Sequence, residues 1–263
     1  MTFKSTQIAE VRNWVQRVRE ALQTCGYYYD PEFHVEDKGP ESVIAAAQLL
    51  GQVHVPTGLD PGRPIINTQP NRSAPPWRPF DRHKPIRWHN DFSTRAGRPE
   101  LSLSWVIQED PKGPKNGAWL VASTAEVLAN LKQTREGKRL VTELSERAEP
   151  FGYRDSGGWR AFRVVIPASG RLRQSGLRFY GPALEDGAWL RFGGVPQRTR
   201  EIIARVEAAA YSVQEVLPAK TGSLLIVHNS LSLHDRSSQT VTGPKENRRR
   251  ALLCFVNRLH SQI

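Results

Sequence analysis

Apolar residues recur at helical spacing near the start of the chain. Positions three and four residues apart form one apolar stripe over residues 7–24, made of Ile8, Val11, Val15, Val18 and Leu22. Gly26 follows where a left-handed C-terminal cap would end such a helix. A second helix is predicted from about Pro40 to Leu50, because proline suits a first helical turn and Gly51 suits the end of a helix.

Most of the remaining chain consists of short apolar or alternating runs. They predict strands at 101–107, 118–121, 161–166, 177–180, 188–192, 213–217, 222–227 and 250–256. Helical spacing returns at about 123–133, at 138–147 and after Pro196. Early helices followed by many short strands predict a mainly β fold with peripheral helices. The expected architecture is a double-stranded β-helix, a cupin-like jelly-roll barrel, in a single domain over residues 1–263.

A proline-rich segment separates the first two helices from the strand at 101–107. Eight prolines between residues 55 and 87 disfavour regular structure, apart from a brief strand near Ile65-Ile66. A loop of this length is typical of a lid over a binding site, in which Trp77 and Phe80 would contact substrate. It is equally typical of a mobile surface excursion, and the sequence favours neither interpretation.

Composition narrows the class of protein. The 263 residues are 38% hydrophobic, and no apolar run is long enough to span a membrane, so a cytoplasmic protein is expected. Two cysteines, Cys25 and Cys254, are too few for a disulfide framework or a cysteine-based zinc site. The net charge of +11 would attract anions, nucleic acid included. The basic residues are scattered, however, which favours a basic enzyme over a dedicated nucleic-acid binder.

Two segments far apart in sequence carry candidate metal ligands. In His89-Asn90-Asp91, an extended backbone would project the imidazole and the carboxylate from the same face. Downstream, the apolar run 224–227 leads through a polar turn to His234. Two histidines and one carboxylate on one face of an iron ion form the facial triad of non-haem iron oxygenases. His89, Asp91 and His234 are therefore the candidate ligands.

Three consecutive arginines, Arg248, Arg249 and Arg250, lead into the last predicted strand, which begins at Arg250. A buried strand that begins with arginine is costly unless the guanidinium meets an anion. A dicarboxylate bound inside a barrel would supply that anion through bidentate pairing.

Taken together, these segments resemble the iron(II)- and 2-oxoglutarate-dependent oxygenases of the taurine dioxygenase-like and clavaminate synthase-like superfamily. The matching pieces follow the family's order over nearly the whole chain: 25–27, 47–51, 88–91, 99–101, 222–229, 234–236 and the arginine strand. The resemblance implies that His89, Asp91 and His234 bind Fe(II), with 2-oxoglutarate and O2 as cosubstrates. It also implies oxidation of a substrate C–H bond with release of succinate and carbon dioxide.

The resemblance also implies that an arginine about fifteen residues after His234 holds the far carboxylate of 2-oxoglutarate. Arg250 is the first candidate, because it would share an inward strand face with Leu252 and Cys254. Arg248 has the same parity and is second, whereas Arg249 should point away.

Two positions depart from the pattern of many relatives. Cys254 stands where they carry a second arginine, and Trp119 stands where some use a threonine to hold the cosubstrate. Asp91 excludes the halogenating relatives, whose carboxylate position is Gly or Ala. Hydroxylation, or another oxidation such as desaturation, is therefore the implied reaction.

The substrate is left open by the sequence. A small molecule is expected, plausibly an amino acid or a natural-product intermediate. The alternatives are a nucleotide, nucleic acid or other anionic substrate, or a basic binding module that has lost catalysis. Arg191 is a candidate substrate contact, and Asn229 and Arg236 are expected to brace the turn before His234.

Overall fold

The computed structural model describes residues 5–33, 40–56, 63–74, 79–81, 85–168, 172–237 and 243–259. Its helices are α1 (Ser5–Thr24), α2 (Pro40–Leu50), α3 (Thr124–Leu131), α4 (Arg135–Glu146), α5 (Gly181–Phe192) and α6 (Gln197–Ser212). Its strands are β1 (Tyr27–Asp30), β2 (Gly51–His54), β3 (Ile65–Thr68), β4 (Leu101–Gln108), β5 (Trp119–Ser123), β6 (Ala148–Tyr153), β7 (Gly158–Arg163), β8 (Val165–Ile166), β9 (Gly176–Leu177), β10 (Glu215–Leu217), β11 (Leu224–His228), β12 (Ser232–Arg236) and β13 (Arg250–Leu259).

Nine of the described strands form a larger and a smaller antiparallel sheet, and the other four form two antiparallel pairs, β6 with β7 and β8 with β9. The larger sheet has the order β1-β11-β4-β13-β2, with β3 also paired to β13. The smaller sheet has the order β10-β5-β12. Buried side chains from both sheets meet in one apolar cluster, including Val106 and Leu225 from the larger sheet and Trp119 and Val121 from the smaller one. The sheets therefore pack against each other, and alternate residues of each strand face the space between them.

Helices cover the outer faces of both sheets. Val15 of α1 and Ala47 of α2 pack with Leu252 and Cys254 on the outer face of β13. The four later helices share a second core with residues of the smaller sheet, among them Leu233. Both faces of the larger sheet are thus apolar, because one packs on helices and the other on the second sheet. None of the described helices combines the length and the hydropathy that a bilayer-spanning segment requires.

The chain passes from the larger to the smaller sheet between β11 and β12. The prediction of a turn before His234 is correct for residues 229–231, but His234 itself lies in β12, a strand that the sequence did not predict. Because β12 pairs with β5, with His234 opposite Val121, this histidine is fixed on a hydrogen-bonded scaffold rather than on a loop.

The predicted strand over 188–192 is wrong. These residues end α5, which has proline in its first turn and is closed by Gly193 in a left-handed conformation with φ 73°. Arg191 consequently lies on a helix, where its guanidinium stacks 5.1 Å from the ring centroid of Trp159 and 4.9 Å from that of Phe192. It does not line the cavity beside the candidate metal ligands.

Gly26, which follows the C-terminal end of α1, packs closely against the turn before β12. Its φ is +85°, and a Cβ at this position would lie 2.2 Å from the Leu231 carbonyl oxygen. Gly26→Ala should therefore lower the free energy of unfolding by at least about 2 kcal/mol, measured by denaturant titration. Gly113→Ala is the control, because Gly113 has φ +95° with no atom within 4 Å of the added Cβ. Equal losses in the two variants would show that the contact with Leu231 contributes nothing.

Candidate active site

The structure brings His89, Asp91 and His234 together. Their ligand atoms all lie within 4.8 Å of one another. Nε2 of His89 is 3.8 Å from one Asp91 oxygen, and Nε2 of His234 is 3.6 Å from the other. The segment carrying His89 pairs with β12 through two 3.0 Å backbone hydrogen bonds between His89 and His234. Two imidazole nitrogens and a carboxylate converge as the facial triad requires.

The ring of His89 is oriented by the backbone that precedes it. Its Nδ1 lies 2.8 Å from the Arg87 carbonyl oxygen, so Nδ1 donates and Nε2 keeps a free lone pair directed toward Asp91. Arg87 has a positive φ of 80°. The Asp235 carboxylate holds this strained turn by accepting hydrogen bonds from the amides of Ile86 and Arg87 at 2.9 and 3.0 Å. Asp235, which follows the candidate ligand His234 in sequence, thus helps to orient the candidate ligand His89.

His234 is mostly buried, with 15% of its side chain exposed, and this environment favours the neutral imidazole. Burial, reinforced by the neighbouring His89, lowers the pKa of His234 to about 3. Its Nδ1 has no hydrogen-bond partner among the described residues. An imidazole that stays unprotonated across the physiological range is ready to bind a metal cation, because protonation would compete with the metal for the same nitrogen.

Asp91 is held by a short hydrogen-bonded chain. The Ser102 hydroxyl donates to an Asp91 carboxylate oxygen at 2.5 Å. Nδ2 of Asn229 donates to the Ser102 oxygen at 3.0 Å and to the Pro99 carbonyl at 3.1 Å, while Oδ1 of Asn229 accepts from the Asp91 amide at 3.2 Å. Asn229 therefore fixes the carboxylate, in addition to the turn that it was expected to brace. Ser102 was not identified from the sequence, although its position in β4 places it opposite β11.

Asn229→Ala removes the hydrogen bonds of Asn229 to Ser102 and to the Asp91 amide. It should therefore weaken divalent metal binding by roughly 10- to 100-fold. The measurement is calorimetric titration with Mn²⁺, which avoids oxidation of the ion. Asn67→Ala, at an exposed position of β3, is the matched control and should bind the metal normally. Unchanged affinity in the Asn229 variant would show that the hydrogen-bonded chain does not position Asp91.

A cavity of about 90 Å³ lies between the sheets beside the three ligands. Its walls come from β4, β11 and β13 of the larger sheet and from β5 and β12 of the smaller one. Phe80 and Ile86 line it as well, so part of the proline-rich segment reaches the site. Trp77, the other predicted contact of that segment, lies outside the described residues.

The arginine that faces this cavity is Arg249, so the predicted orientation of Arg250 is wrong. Arg249 lines the cavity and is only 6% exposed, whereas Arg250 lies in a separate surface depression beside Lys245 and Glu246. Arg248 is also directed elsewhere, with Nη1 donating to the Pro70 carbonyl at 3.4 Å. The physical reason is that both faces of β13 are apolar. Alternation shows which residues of the strand share a face, but it cannot tell which of the two faces lies under the helices.

Two buried arginines, Arg236 and Arg249, share the cavity. Burial, followed by the positive charge of Arg236, lowers the pKa of Arg249 to about 9. Burial lowers the pKa of Arg236, 5% exposed on β12, to about 10. The Nε of Arg249 has no hydrogen-bond partner among the described residues, and its guanidinium stands 5.7 Å from the ring centroid of Trp119. This environment disfavours the charged guanidinium of Arg249. A bound anion would offset the cost of burying that charge.

Cys254 and Trp119, the two residues that depart from the pattern of relatives, differ in whether they reach the cavity. Cys254 is fully buried among α1, α2 and the outer face of β13, away from the cavity. Trp119 lines the cavity and contributes an aromatic wall beneath Arg249. The cation that accompanies Arg249 therefore comes from β12, as Arg236, and not from later in β13.

Known proteins resemble this chain in sequence pattern and in fold. The family model described as "Taurine catabolism dioxygenase TauD, TfdA family" matches residues 3–254. Comparison with curated proteins gives no significant sequence match.

Several solved structures share the fold. An asparagine oxygenase in complex with Fe(II), 2S,3S-3-hydroxyasparagine and succinate superposes with a TM-score of 0.75 at 17% identity, covering 95% of this chain and 79% of that one. PvcB of Pseudomonas aeruginosa gives a TM-score of 0.66 at 17% identity, covering 94% and 84%. The non-heme iron oxygenase OrfP, in complex with Fe and alpha-ketoglutaric acid, gives 0.63 at 13% identity, covering 97% and 81%.

Proposed function

Because the chain belongs to the TauD, TfdA family of dioxygenases, we propose that it is an Fe(II)- and 2-oxoglutarate-dependent hydroxylase of a small molecule. One observation carries this proposal: a complete His-Asp-His ligand set and a buried pair of arginines, Arg236 and Arg249, line the same cavity. The first group suits a divalent iron ion and the second suits the far carboxylate of a 2-oxo diacid. The resemblance inferred from the sequence is confirmed at the level of the family.

The three ligand side chains fit an iron(II) ion by their donor atoms, their orientation and their protonation state. His89 presents Nε2 because its Nδ1 donates a hydrogen bond to the Arg87 carbonyl oxygen, and burial favours the neutral form of His234. Asp91 supplies the single negative charge and is fixed by Ser102. Iron(II), when bound with 2-oxoglutarate and O2, supplies the oxidising chemistry that converts the 2-oxo acid to succinate and carbon dioxide.

Arg249, assisted by Arg236, would hold the carboxylate of 2-oxoglutarate that is remote from the metal. Both guanidinium groups are buried, and Trp119 excludes water on one side of Arg249. An anion bound there gains more from charge-assisted hydrogen bonds than it would at an exposed site, because solvent screening is small. Anchoring at this end fixes the 2-oxo acid in orientation before O2 arrives.

An amino acid or a related metabolite is the substrate class that we infer. Asparagine oxygenase carries a hydroxylated asparagine in its structure, and OrfP carries (3S)-hydroxy-L-Arg. The same chemistry on a nucleotide or nucleic acid is the alternative. An inactive binding module is disfavoured, because the ligand set is complete. We further infer that the two sheets close as a double-stranded β-helix within one domain, since they pack through a common core.

The test is succinate release from 2-oxoglutarate in the presence of Fe(II) and O2, screened against amino acids and nucleotides. The proposal expects at least one small molecule to stimulate succinate release, with one hydroxylated product formed per succinate. A protein that binds neither Fe(II) nor 2-oxoglutarate would contradict it.

A further inference from the structure

Backbone strain is concentrated around the segment that carries two of the candidate metal ligands. Among the described residues, Arg87 and Phe92 are the two non-glycine residues with positive φ, at 80° and 54°. Arg87 lies two residues before His89, and Phe92 follows Asp91 directly. A residue with a Cβ adopts this left-handed conformation at a cost, so the surrounding structure must hold it there. The two strained residues therefore flank His89 and Asp91.

The left-handed conformation of Phe92 reverses the chain immediately after Asp91. The Arg95 amide donates to the Phe92 carbonyl oxygen at 2.9 Å and closes a turn over residues 92–95. An extended residue at this position would instead continue the direction of the preceding segment. Because the chain turns here, it returns to β4, whose Ser102 hydroxyl donates to the Asp91 carboxylate. The direction of the carboxylate and the position of its hydrogen-bond donor thus depend on the same backbone reversal.

The aromatic ring of Phe92 holds this conformation against the larger sheet. Its centroid lies 5.6 Å from the ring centroid of His54 in β2 and 5.1 Å from that of Phe255 in β13, with interplanar angles of 82° and 83°. The Arg95 guanidinium lies 5.5 Å from the same centroid. Edge-to-face packing of this kind restricts the orientation of the ring. These contacts maintain at Phe92 a backbone conformation that an isolated chain would seldom adopt.

The segment before Phe92 is fixed independently. Asn90 is 2% exposed; its Nδ2 donates to the Ser232 carbonyl oxygen at 2.7 Å, and its Oδ1 accepts from the Phe179 amide at 2.8 Å. The Arg87 amide is held by Asp235. The backbone on the N-terminal side of Asp91 is therefore supported by β12 and by residue 179, and Phe92 supplies the support on the C-terminal side.

Resting on the proposed function, we propose that Phe92 is a positioning residue for the metal ligand Asp91. Its left-handed backbone, more than the bulk of its side chain, turns the carboxylate toward His89 and His234. The fold bears the cost of this conformation before the metal binds, so the carboxylate needs no rearrangement on binding.

The test separates backbone conformation from side-chain packing. Phe92→Asn and Phe92→Val both replace the ring by a short side chain, but asparagine tolerates a positive φ and the β-branched valine does not. Calorimetric titration with Mn²⁺ should show binding at least about tenfold tighter in the asparagine variant than in the valine variant. A residue that only packs against the sheet predicts the opposite order, because valine keeps more apolar contact than asparagine does.

A second pair, Phe92→Gly and Phe92→Ala, tests the same conformation if the valine variant does not fold. These two variants differ by one methyl group, and the glycine variant should bind Mn²⁺ more tightly because glycine adopts a positive φ without strain. Gly193→Val is the control, because Gly193 ends α5 with φ +73° and no atom lies within 4 Å of an added Cβ. It should lower the free energy of unfolding and leave Mn²⁺ affinity unchanged.

Equal affinities or the reverse order in the Asn–Val pair would overturn the proposal, as would the same result in the Gly–Ala pair where the valine variant does not fold. In either case, Mn²⁺ binding by the unsubstituted protein would show that the proposed function still stands. An unsubstituted protein that binds no Mn²⁺ would overturn both the proposed function and the role of Phe92.

Discussion

Asp91→Ala should abolish coupled turnover, with succinate release reduced by at least about 100-fold. Asp91 is the only carboxylate within 4.8 Å of the ligand atoms of both His89 and His234 among the described residues. Its loss leaves two neutral imidazoles to hold a doubly charged ion and leaves the Ser102 hydroxyl without its acceptor. The measurement is the succinate formed per enzyme under saturating Fe(II), 2-oxoglutarate and the best substrate of the screen.

Asp91→Glu is the matched variant, because it keeps the carboxylate and changes only its reach. It should retain more activity than the alanine variant and should still bind Fe(II). The melting temperatures of both variants without metal should stay near that of the unsubstituted protein, since Asp91 is partly exposed. Full coupled turnover by Asp91→Ala would remove Asp91 from the ligand set.

Arg249→Met should weaken binding of 2-oxoglutarate by roughly 10- to 100-fold, the loss expected when a charge-assisted hydrogen-bonded pair is removed. The effect should be on KM for 2-oxoglutarate, because the guanidinium is inferred to contact only the remote carboxylate. Arg250→Met is the control, since Arg250 lies outside the cavity. A larger rise in KM for the Arg250 variant would restore the order expected from the sequence alone.

The same substitution has a second readout in stability. Folding lowers the pKa of Arg249 from its ordinary value to about 9, so the folded state disfavours the protonated guanidinium. The cost is fully present below pH 9 and fades as pH rises toward the unfolded value. At pH 7 without cosubstrate, Arg249→Met should therefore be as stable as the parent or more stable. Added 2-oxoglutarate should raise the melting temperature of the parent more than that of the variant.

The metal ligands could be predicted because two of them lie close together in the sequence and all three have side chains that bind iron. His89 and Asp91 are two residues apart, and an extended segment places both on one side. His234 follows an apolar run that identifies the strand before it. The proximity of the two segments came from the family resemblance, and the structure supplies its physical basis: β12 hydrogen-bonds directly to the segment that carries His89.

The arginine assignment could not be predicted from alternation, because β13 is covered on both faces. Leu252 and Cys254 looked inward by hydrophobicity, yet they contact α1 and α2, while Arg249 and Leu253 line the cavity. Likewise, the sequence predicts a strand at Arg191 because a run of five residues cannot distinguish a strand from the last turns of a helix. In both cases the deciding contacts are distant in sequence.

The most direct test of the central claim is the visible spectrum of the protein mixed with Fe(II) and 2-oxoglutarate in the absence of O2. A facial triad that leaves room for a chelating 2-oxo acid should give a charge-transfer band near roughly 500 nm. The band should reach full intensity at lower 2-oxoglutarate concentration in the parent than in Arg249→Met. A protein that retains its fold but shows no band at saturating Fe(II) and 2-oxoglutarate would contradict the assignment of His89, Asp91 and His234 as the iron site.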